Sequence, residues 1–262
     1  MIIAIFISSG CGLRYGKKDT AKPAIGVPLS EVDKLLAQIE QKNAEVTTFK
    51  GVGRIKFRRQ GKLQISRGLW AGIKPDKFRM EILNPARQPA ASIVSDGKWL
   101  YLLSYSSGQF HRESTDNADL SKVISTPVRI SDIITLLSDG IPLHSYHEAF
   151  LKPDSSGTGY IIVLKKRWRG VIEKIYLDEK KTDVRQVEIY NLNGLVYRVS
   201  LYRNRHKNRQ SADGFRLPPG YDKAIVITNR DGPVLQIDVD KFWMNIPVST
   251  TMFVLNPPSA ED

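Results

Sequence analysis

Cys11 is the only cysteine in this chain of 262 residues. That count excludes an intramolecular disulfide and any metal centre built on several thiolates. Long apolar runs are also missing, because no stretch approaches the roughly 18 residues that a transmembrane helix needs. The hydrophobic residues, 41% of the chain, must therefore form a core that is held together without cross-links.

Catalytic motifs are absent from the sequence as well. It has neither a Gly-x-Ser-x-Gly nucleophile turn nor a Gly-x-x-x-x-Gly-Lys phosphate loop. His144 and His147 have the spacing of helical metal ligands, but they follow Pro142 in a predicted loop, and Glu148 is the nearest carboxylate. A surface loop is favoured over a metal site because no third and fourth ligand is at hand. We therefore predict no enzyme activity, no cofactor and no metal.

The N-terminal residues are typical of a bacterial lipoprotein signal. Apolar residues 1–7 and the small residues 8–10 precede Cys11, which would be lipidated and become the first residue after cleavage. No Lys or Arg comes before Arg14, whereas a signal peptide begins with a positive charge, so we expect the natural start to lie upstream. Gly12 is compatible with delivery to the outer membrane. The alternative is a cytosolic chain whose first residues form a strand.

The net charge of +12 favours anionic partners. Two basic segments stand out, at residues 165–169 and 203–209. Trp168, within the first, has the surroundings to stack on a base or to lie at a lipid interface, and a solvated hairpin tip is the plainer interpretation. A lipidated Cys11 would keep the chain away from cytoplasmic nucleic acid. We therefore expect lipid head groups or an acidic protein as partner, and no nucleic acid.

The organisation along the chain is that of one domain behind a tether. Residues 1–11 are the signal remnant, residues 12–28 form a flexible tether rich in Lys, Gly and Pro, and residues 256–262 form a disordered tail. The single domain occupies residues 29–255. It begins with a helix that Ser30 caps, and Asp33 completes the capping box three residues later. The apolar residues of this helix recur at helical spacing: Val32, Leu35, Leu36 and Ile39.

From Phe49 the apolar residues recur at every second position, which predicts half-buried strands. Turn signals such as Asp96-Gly97 and Asn193-Gly194 separate about ten or eleven of these strands. The short connections leave no room for parallel crossovers, so the sheet is expected to be antiparallel. One further helix is predicted at residues 131–138, capped by Ser131.

Three segments, taken in order, resemble the LolB family of outer-membrane lipoprotein receptors. Residues 68–85 are similar to that family's paired strands and Asn-Pro loop, residues 127–142 to its Pro-led helix, and residues 217–243 to its closing strands. The resemblance covers residues 29–245. It implies the LolA/LolB fold, a mainly β half-barrel: a curved, incompletely closed antiparallel barrel whose short helices form a lid over an apolar concave side.

The resemblance also implies a function. LolB-like proteins are lipid-anchored in the outer membrane of Gram-negative bacteria, face the periplasm, accept acylated lipoproteins from a LolA-like periplasmic carrier and insert them into the membrane. Burial of an acyl chain contributes about 0.8 kcal/mol per methylene, in the cavity as in the bilayer, so transfer needs no ATP. The predicted cavity-lining residues are Phe57, Leu69, Trp70, Met80, Ile82, Trp99, Tyr101, Leu103, Ile133, Ile134 and Leu137.

Two points remain open in this prediction. Trp99, Tyr101 and Leu103 have the alternative of facing the other side, since the residues between them are also apolar. The membrane-insertion loop corresponds to Pro85, Ala86 and Arg87, where the family has a protruding leucine, so the apolar tip is missing here.

A competing function is an interaction lipoprotein with the same fold and no cargo, which recruits an acidic periplasmic partner. A nucleic-acid-binding β-barrel is a third hypothesis.

Overall fold

The computed structural model describes residues 30–59, 62–203 and 223–256. The predicted lipid-attachment residue Cys11, the tether at 12–28 and residues 257–262 of the predicted tail lie outside the described residues. So do residues 204–209, most of the second basic segment.

Thirteen strands form one antiparallel sheet, in the order β6-β5-β4-β3-β2-β1-β13-β12-β11-β10-β9-β8-β7. Strands β6 and β7 are its two edges and do not pair with each other, so the curved sheet stays open. The strands are β1 (Thr48–Arg59), β2 (Lys62–Ile73), β3 (Lys77–Leu83), β4 (Pro89–Asp96), β5 (Trp99–Ser104), β6 (Phe110–Ser114), β7 (Glu148–Pro153), β8 (Tyr160–Lys166), β9 (Gly170–Leu177), β10 (Val184–Asn191), β11 (Gly194–Arg203), β12 (Lys223–Asn229) and β13 (Gly232–Met244).

The antiparallel, unclosed sheet is as predicted, but the strand count exceeds the expected ten or eleven. Strands β4 and β7 are the additional ones. β4 begins at a proline followed by small residues, Pro-Ala-Ala-Ser, which carry little hydrophobic periodicity. β7 is a six-residue edge strand that ends at Pro153, a position where the missing N–H faces away from the ladder.

Three α-helices accompany the sheet in the described residues: α1 (Glu31–Glu45), α2 (Ser121–Ile124) and α3 (Ile130–Leu137). The predicted capping box of α1 is confirmed, because the Ser30 hydroxyl accepts from the Asp33 N–H and the Asp33 carboxylate accepts from the Ser30 N–H. Ser131 does not cap α3. The helix already begins at Ile130, since Arg129 is held extended in a β-bridge with Asp119.

The two faces of the sheet differ in chemistry. Along β1, Phe49, Ile55 and Phe57 are buried on the concave face, whereas Arg54 and Lys56 point to the convex face and form ion pairs with Asp238 of β13. The large side chain of Trp70 in β2 packs into the same core and lies over Gly51 of β1. A Cβ atom at Gly51 would lie 2.3 Å from the Trp70 ring, so only glycine fits there.

Candidate functional site

An apolar cavity lies between the concave face of the sheet and the helices α2 and α3. Its volume is about 20 Å³, close to the space that one water molecule needs, and every lining side chain is hydrophobic. The lining residues come from the strands β1, β3, β4 and β13 and from the two helices with the segment before them: Ile55, Phe57, Phe78, Met80, Ile82, Ile93, Leu120, Val123, Ile124, Ile130, Ile133, Leu235 and Ile237.

Four of the predicted cavity residues line this space: Phe57, Met80, Ile82 and Ile133. A second set, Trp70, Ile134 and Leu137, is buried in the same hydrophobic core without lining the cavity. The two-residue spacing already indicated Ile55 and Phe78, which share a face with Phe57 and Met80. Helix α2 gave no signal because it has only four residues, so Ile124 was missed.

The expectation for Leu69, Trp99, Tyr101 and Leu103 is corrected. Leu69 lies on the convex face of β2 with 43% of its surface exposed, while its neighbour Trp70 is turned inward. The other three also lie on the convex face, which is the alternative orientation considered for them. The register decides it, because Leu102 pairs with the cavity residue Ile93, and Tyr101 pairs with Val94, one position along.

A buried polar cluster ties the beginning of α3 to the sheet. Asp132 on α3 accepts a hydrogen bond from the Tyr197 hydroxyl of β11, and its carboxylate lies 3.2 Å from His144 Nε2. His144 Nδ1 is 3.0 Å from Glu173 Oε2 of β9, which also accepts the His144 backbone N–H at 2.9 Å. The cluster thus joins the His144 loop to α3 and β9, and α3 to β11.

The charges within this cluster favour an imidazolium at His144. Burial alone would lower the pKa of His144, but its hydrogen bonds to Asp132 and Glu173 and their charges outweigh burial and raise it to about 9. Burial raises the pKa of Glu173, against the opposing effect of His144. The tyrosine is held neutral, since burial and the Asp132 charge raise the pKa of Tyr197.

A second polar cluster holds the end of α3. Asp139 lies just after the C-cap Ser138, and its Oδ1 forms ion pairs with a guanidinium nitrogen of Arg203 in β11 at 2.8 Å and with Lys223 Nζ of β12 at 2.6 Å. The charges of Lys223 and Arg203 outweigh burial and lower the pKa of Asp139 to about 2. Burial dominates at the partner and lowers the pKa of Lys223 to about 8. The lysine ammonium also donates to the Leu136 carbonyl at the end of the helix.

The chain after α3 is fixed to α1 by one side chain. The Asn43 amide donates to the Ile141 carbonyl at 2.7 Å, and its oxygen accepts the Ile141 N–H at 2.8 Å. Helix α2 has a tie of its own, in which Lys122 donates to Glu113 of β6 at 2.6 Å. The cavity is therefore covered by two short helices that meet the sheet through apolar contacts and are fastened by polar groups at their margins.

The loop at residues 84–88 lies at the turn between β3 and β4. Pro85, Ala86 and Arg87 are exposed, and Arg87 has a positive φ of 64°. The loop is closed by the Asn84 side chain, whose oxygen accepts the Gln88 N–H at 3.0 Å. The geometry gives a protruding tip with a cation and no large apolar side chain.

The described part of the chain contains neither a candidate metal site nor a helix suited to span a membrane. None of its groups of three or more His, Cys, Asp or Glu side chains has the arrangement to hold a metal ion. His147 lies outside the buried cluster, and its Nδ1 accepts the Arg167 N–H at 3.2 Å. Within the same residues, no helix combines the length and the apolar character that crossing a membrane requires.

The fold is similar to those of three solved structures. A DUF1329 family protein from Desulfovibrio piger has a TM-score of 0.53 at 12% identity, with 84% of this chain and 95% of that one covered. A domain from Vibrio parahaemolyticus described as an outer membrane lipoprotein-sorting protein has a TM-score of 0.52 at 10% identity, covering 82% and 94%. A LolA superfamily protein from Nitrosomonas europaea has a TM-score of 0.51 at 15% identity, covering 84% and 97%.

These likenesses establish a LolA/LolB-like fold, as the sequence resemblance implied. No family model matches the chain, and no curated protein matches its sequence. At identities of 10 to 15% the similarity concerns the fold alone.

Proposed function

We propose that the protein binds the acyl chains of lipoproteins in the cavity beneath α2 and α3 and takes part in lipoprotein localisation at the outer membrane. In this proposal Cys11 carries the lipid anchor, the domain faces the periplasm, and a LolA-like carrier supplies the cargo. The observation that carries the proposal is the wholly apolar lining of a cavity that is roofed by short helices. The similarity in fold to the Vibrio parahaemolyticus lipoprotein-sorting domain supports the same function.

The energetics fit a carrier. Burial of acyl chain contributes about 0.8 kcal/mol per methylene, so a long chain gains on the order of 10 kcal/mol once the helices move aside and the chain lies against the apolar face of the sheet. The bilayer offers the chain a similar gain, and transfer between the two is nearly balanced. Chemical catalysis is not needed for that exchange.

Entry of an acyl chain requires the roof to move. Cavity-lining Ile133 and Ile124 are both buried against the sheet, so the helices occupy the path of the chain in the closed state. Helix α3 has eight residues, too few to be stable by its own propensity, and its position depends on packing and on the polar ties at its two ends. A short element of this kind is suited to act as a lid.

The lid role is tested by two matched substitutions on α3. Ile133→Thr places a hydroxyl in the cavity lining and removes apolar contact, so affinity for a fluorescent fatty-acid probe is expected to fall about tenfold. Ile134→Thr is the control, because Ile134 is equally buried but does not line the cavity, and its affinity is expected to stay within about twofold. Circular dichroism checks that both variants fold. Equal affinities for the two variants would contradict the lid role.

The anchor is tested by fractionation. When the gene is expressed with a complete signal, Cys11→Ser is expected to move the protein from the membrane fraction to the soluble periplasm, because the serine hydroxyl cannot take the thioether-linked lipid. Gly12→Ala serves as the control and is expected to leave fractionation unchanged. A Cys11→Ser variant that stays in the membrane fraction would count against a lipid anchor.

A further inference from the structure

Three neighbouring hairpins turn at the same end of the sheet. In an antiparallel succession of strands every second turn lies at the same end, which brings together the turns β8–β9, β10–β11 and β12–β13. Adjacent strands lie about 4.8 Å apart, so consecutive tips in this series are separated by roughly 10 Å. We define the hairpin-tip surface as residues 165–170, 191–194 and 229–232. The exposed loop at 84–88, between β3 and β4, lies at this end of the sheet as well.

Two large apolar side chains are at the tips of this surface. Trp168 is 93% exposed and Leu192 is 76% exposed, the two highest values among the large hydrophobic residues of the described chain. Trp168 also has a positive φ of 68°, a conformation that bulky residues rarely adopt. Their exposure at the same end of the sheet marks this end as a candidate interaction surface.

Cations surround the apolar tips. The hairpin-tip surface contains five Lys or Arg residues and one carboxylate, Asp231. Within the described residues no ion pair involves Lys166, Arg167 or Arg169, on either side of Trp168, whereas many other cations of the sheet are paired. Arg230 connects the second and third hairpins by donating to the Asn193 carbonyl at 2.7 Å.

We propose that the hairpin-tip surface docks onto an anionic lipid bilayer, with Trp168 and Leu192 entering the interface and the cations contacting head groups. Tryptophan is enriched at membrane interfaces, and basic residues near the surface are attracted to anionic lipids. The tips protrude instead of forming a groove, and Leu192 has no ring on which a base could stack, which favours a bilayer over single-stranded nucleic acid. This inference deepens the proposed function, because a carrier of acylated cargo has to meet a membrane, and it places that contact on residues other than the loop at 84–88.

The test measures co-sedimentation of the full chain, carrying Cys11→Ser to remove any lipid anchor, with two kinds of vesicle. One consists of phosphatidylcholine alone, and the other contains phosphatidylglycerol as well. Binding is expected only to the anionic vesicles. The double variant Trp168→Ser/Leu192→Ser is expected to bind at least about tenfold more weakly, from the apolar surface lost to the interface. Arg167→Gln and Arg169→Gln are each expected to weaken binding about fivefold.

Trp243→Ser is the matched control. Trp243 is 45% exposed and lies near the opposite end of the strands, where β13 ends. The Trp243→Ser variant is expected to bind vesicles within about twofold of the parent, because this side chain lies outside the proposed contact. Vesicle binding that survives the double variant, or that falls equally with Trp243→Ser, overturns the inference.

Two further measurements separate this inference from other outcomes. If a single-stranded oligonucleotide binds through Trp168 and vesicles do not bind, the bilayer is overturned as the partner of this surface, and the partner is a nucleic acid. Affinity for the fatty-acid probe is expected to be unchanged in the tip variants, because the cavity lining is intact. If the parent chain binds the fatty-acid probe but not the anionic vesicles, the docking surface alone is overturned. If it binds the vesicles but not the probe, the proposed carrier function alone is overturned.

Discussion

Replacing Asp132 by alanine is expected to lower the free energy of unfolding by about 3–5 kcal/mol, the usual effect of removing one partner of a buried charge pair. Asp132 is 4% exposed on α3 and is the acceptor for the Tyr197 hydroxyl and the partner of His144 Nε2. Without it, the buried Tyr197 hydroxyl loses its acceptor and the partly buried His144 imidazolium loses one of its two carboxylate partners, and a buried donor without a partner is strongly unfavourable.

Chemical denaturation of the parent and variant measures this difference. Asp231→Ala is a suitable control, because Asp231 lies exposed in the β12–β13 turn, and such surface substitutions usually change stability by no more than about 0.5 kcal/mol. A loss for Asp132→Ala no larger than that of the control would show that the cluster does not fasten α3.

Raising the pH from about 6.5 to about 9 is expected to remove the stability that protonated His144 contributes, roughly 3 kcal/mol for a pKa displaced to about 9. The folded pKa lies above the unfolded value, so the contribution is complete below pH 6.5 and is lost as the pH rises through the folded pKa. Glu173 has a raised pKa as well and acts in the same direction at lower pH.

Lys223 acts in the opposite direction within part of this window. Its pKa is lowered to about 8 in the folded protein, so its contribution increases with pH above that value. The measurement is therefore the difference in unfolding free energy between the parent and His144→Gln, in which the Lys223 effect cancels. That difference should shrink as the pH rises from 6.5 to 9. A difference that is constant over this range would mean that His144 is not protonated in the fold.

Local patterns were sufficient for much of the fold. The capping box of Ser30 and Asp33 depends on residues three apart, and the alternation of Phe57 with Arg58 depends on residues one apart, so both can be read from the sequence. Strand β5 shows where this fails. Leu100 and Leu102 are as apolar as Trp99 and Tyr101, so a period of two defines a strand without saying which face is buried, and only the pairing with β4 decides it.

The polar ties of the lid depend on long-range contacts. Asp132 interrupts the apolar stripe of α3, which is the one local sign of a buried carboxylate that needs a partner. Its partners His144 and Tyr197 lie 12 and 65 residues further along the chain. Nothing in the spacing of His144 and His147 distinguishes a buried cation from an exposed loop residue. The cluster could be recognised only after the sheet had brought β9 and β11 beneath the helix.

Trp168 illustrates a different limit of sequence analysis. The cations around it were evident, but the chain alone left a solvated tip, a base-stacking site and a lipid-interface site as alternatives. Its almost complete exposure and the neighbouring Leu192 tip come from the register of the hairpins. The loop at 84–88, in contrast, keeps its predicted place at a strand turn and lacks an apolar tip, as the sequence indicated.

An acyl chain bound beneath α2 and α3, as we propose, can be located by site-specific photo-cross-linking. Phe57 lines the cavity, and Tyr101 lies on the opposite face of the sheet, so photoreactive benzoyl-phenylalanine is introduced at each position in turn. Each protein is irradiated with a triacylated lipoprotein and with its unacylated form. We expect a cross-link from position 57 to the acylated form alone and none from position 101. Cross-links of equal yield from both positions, or none from position 57 to the acylated form, would contradict it.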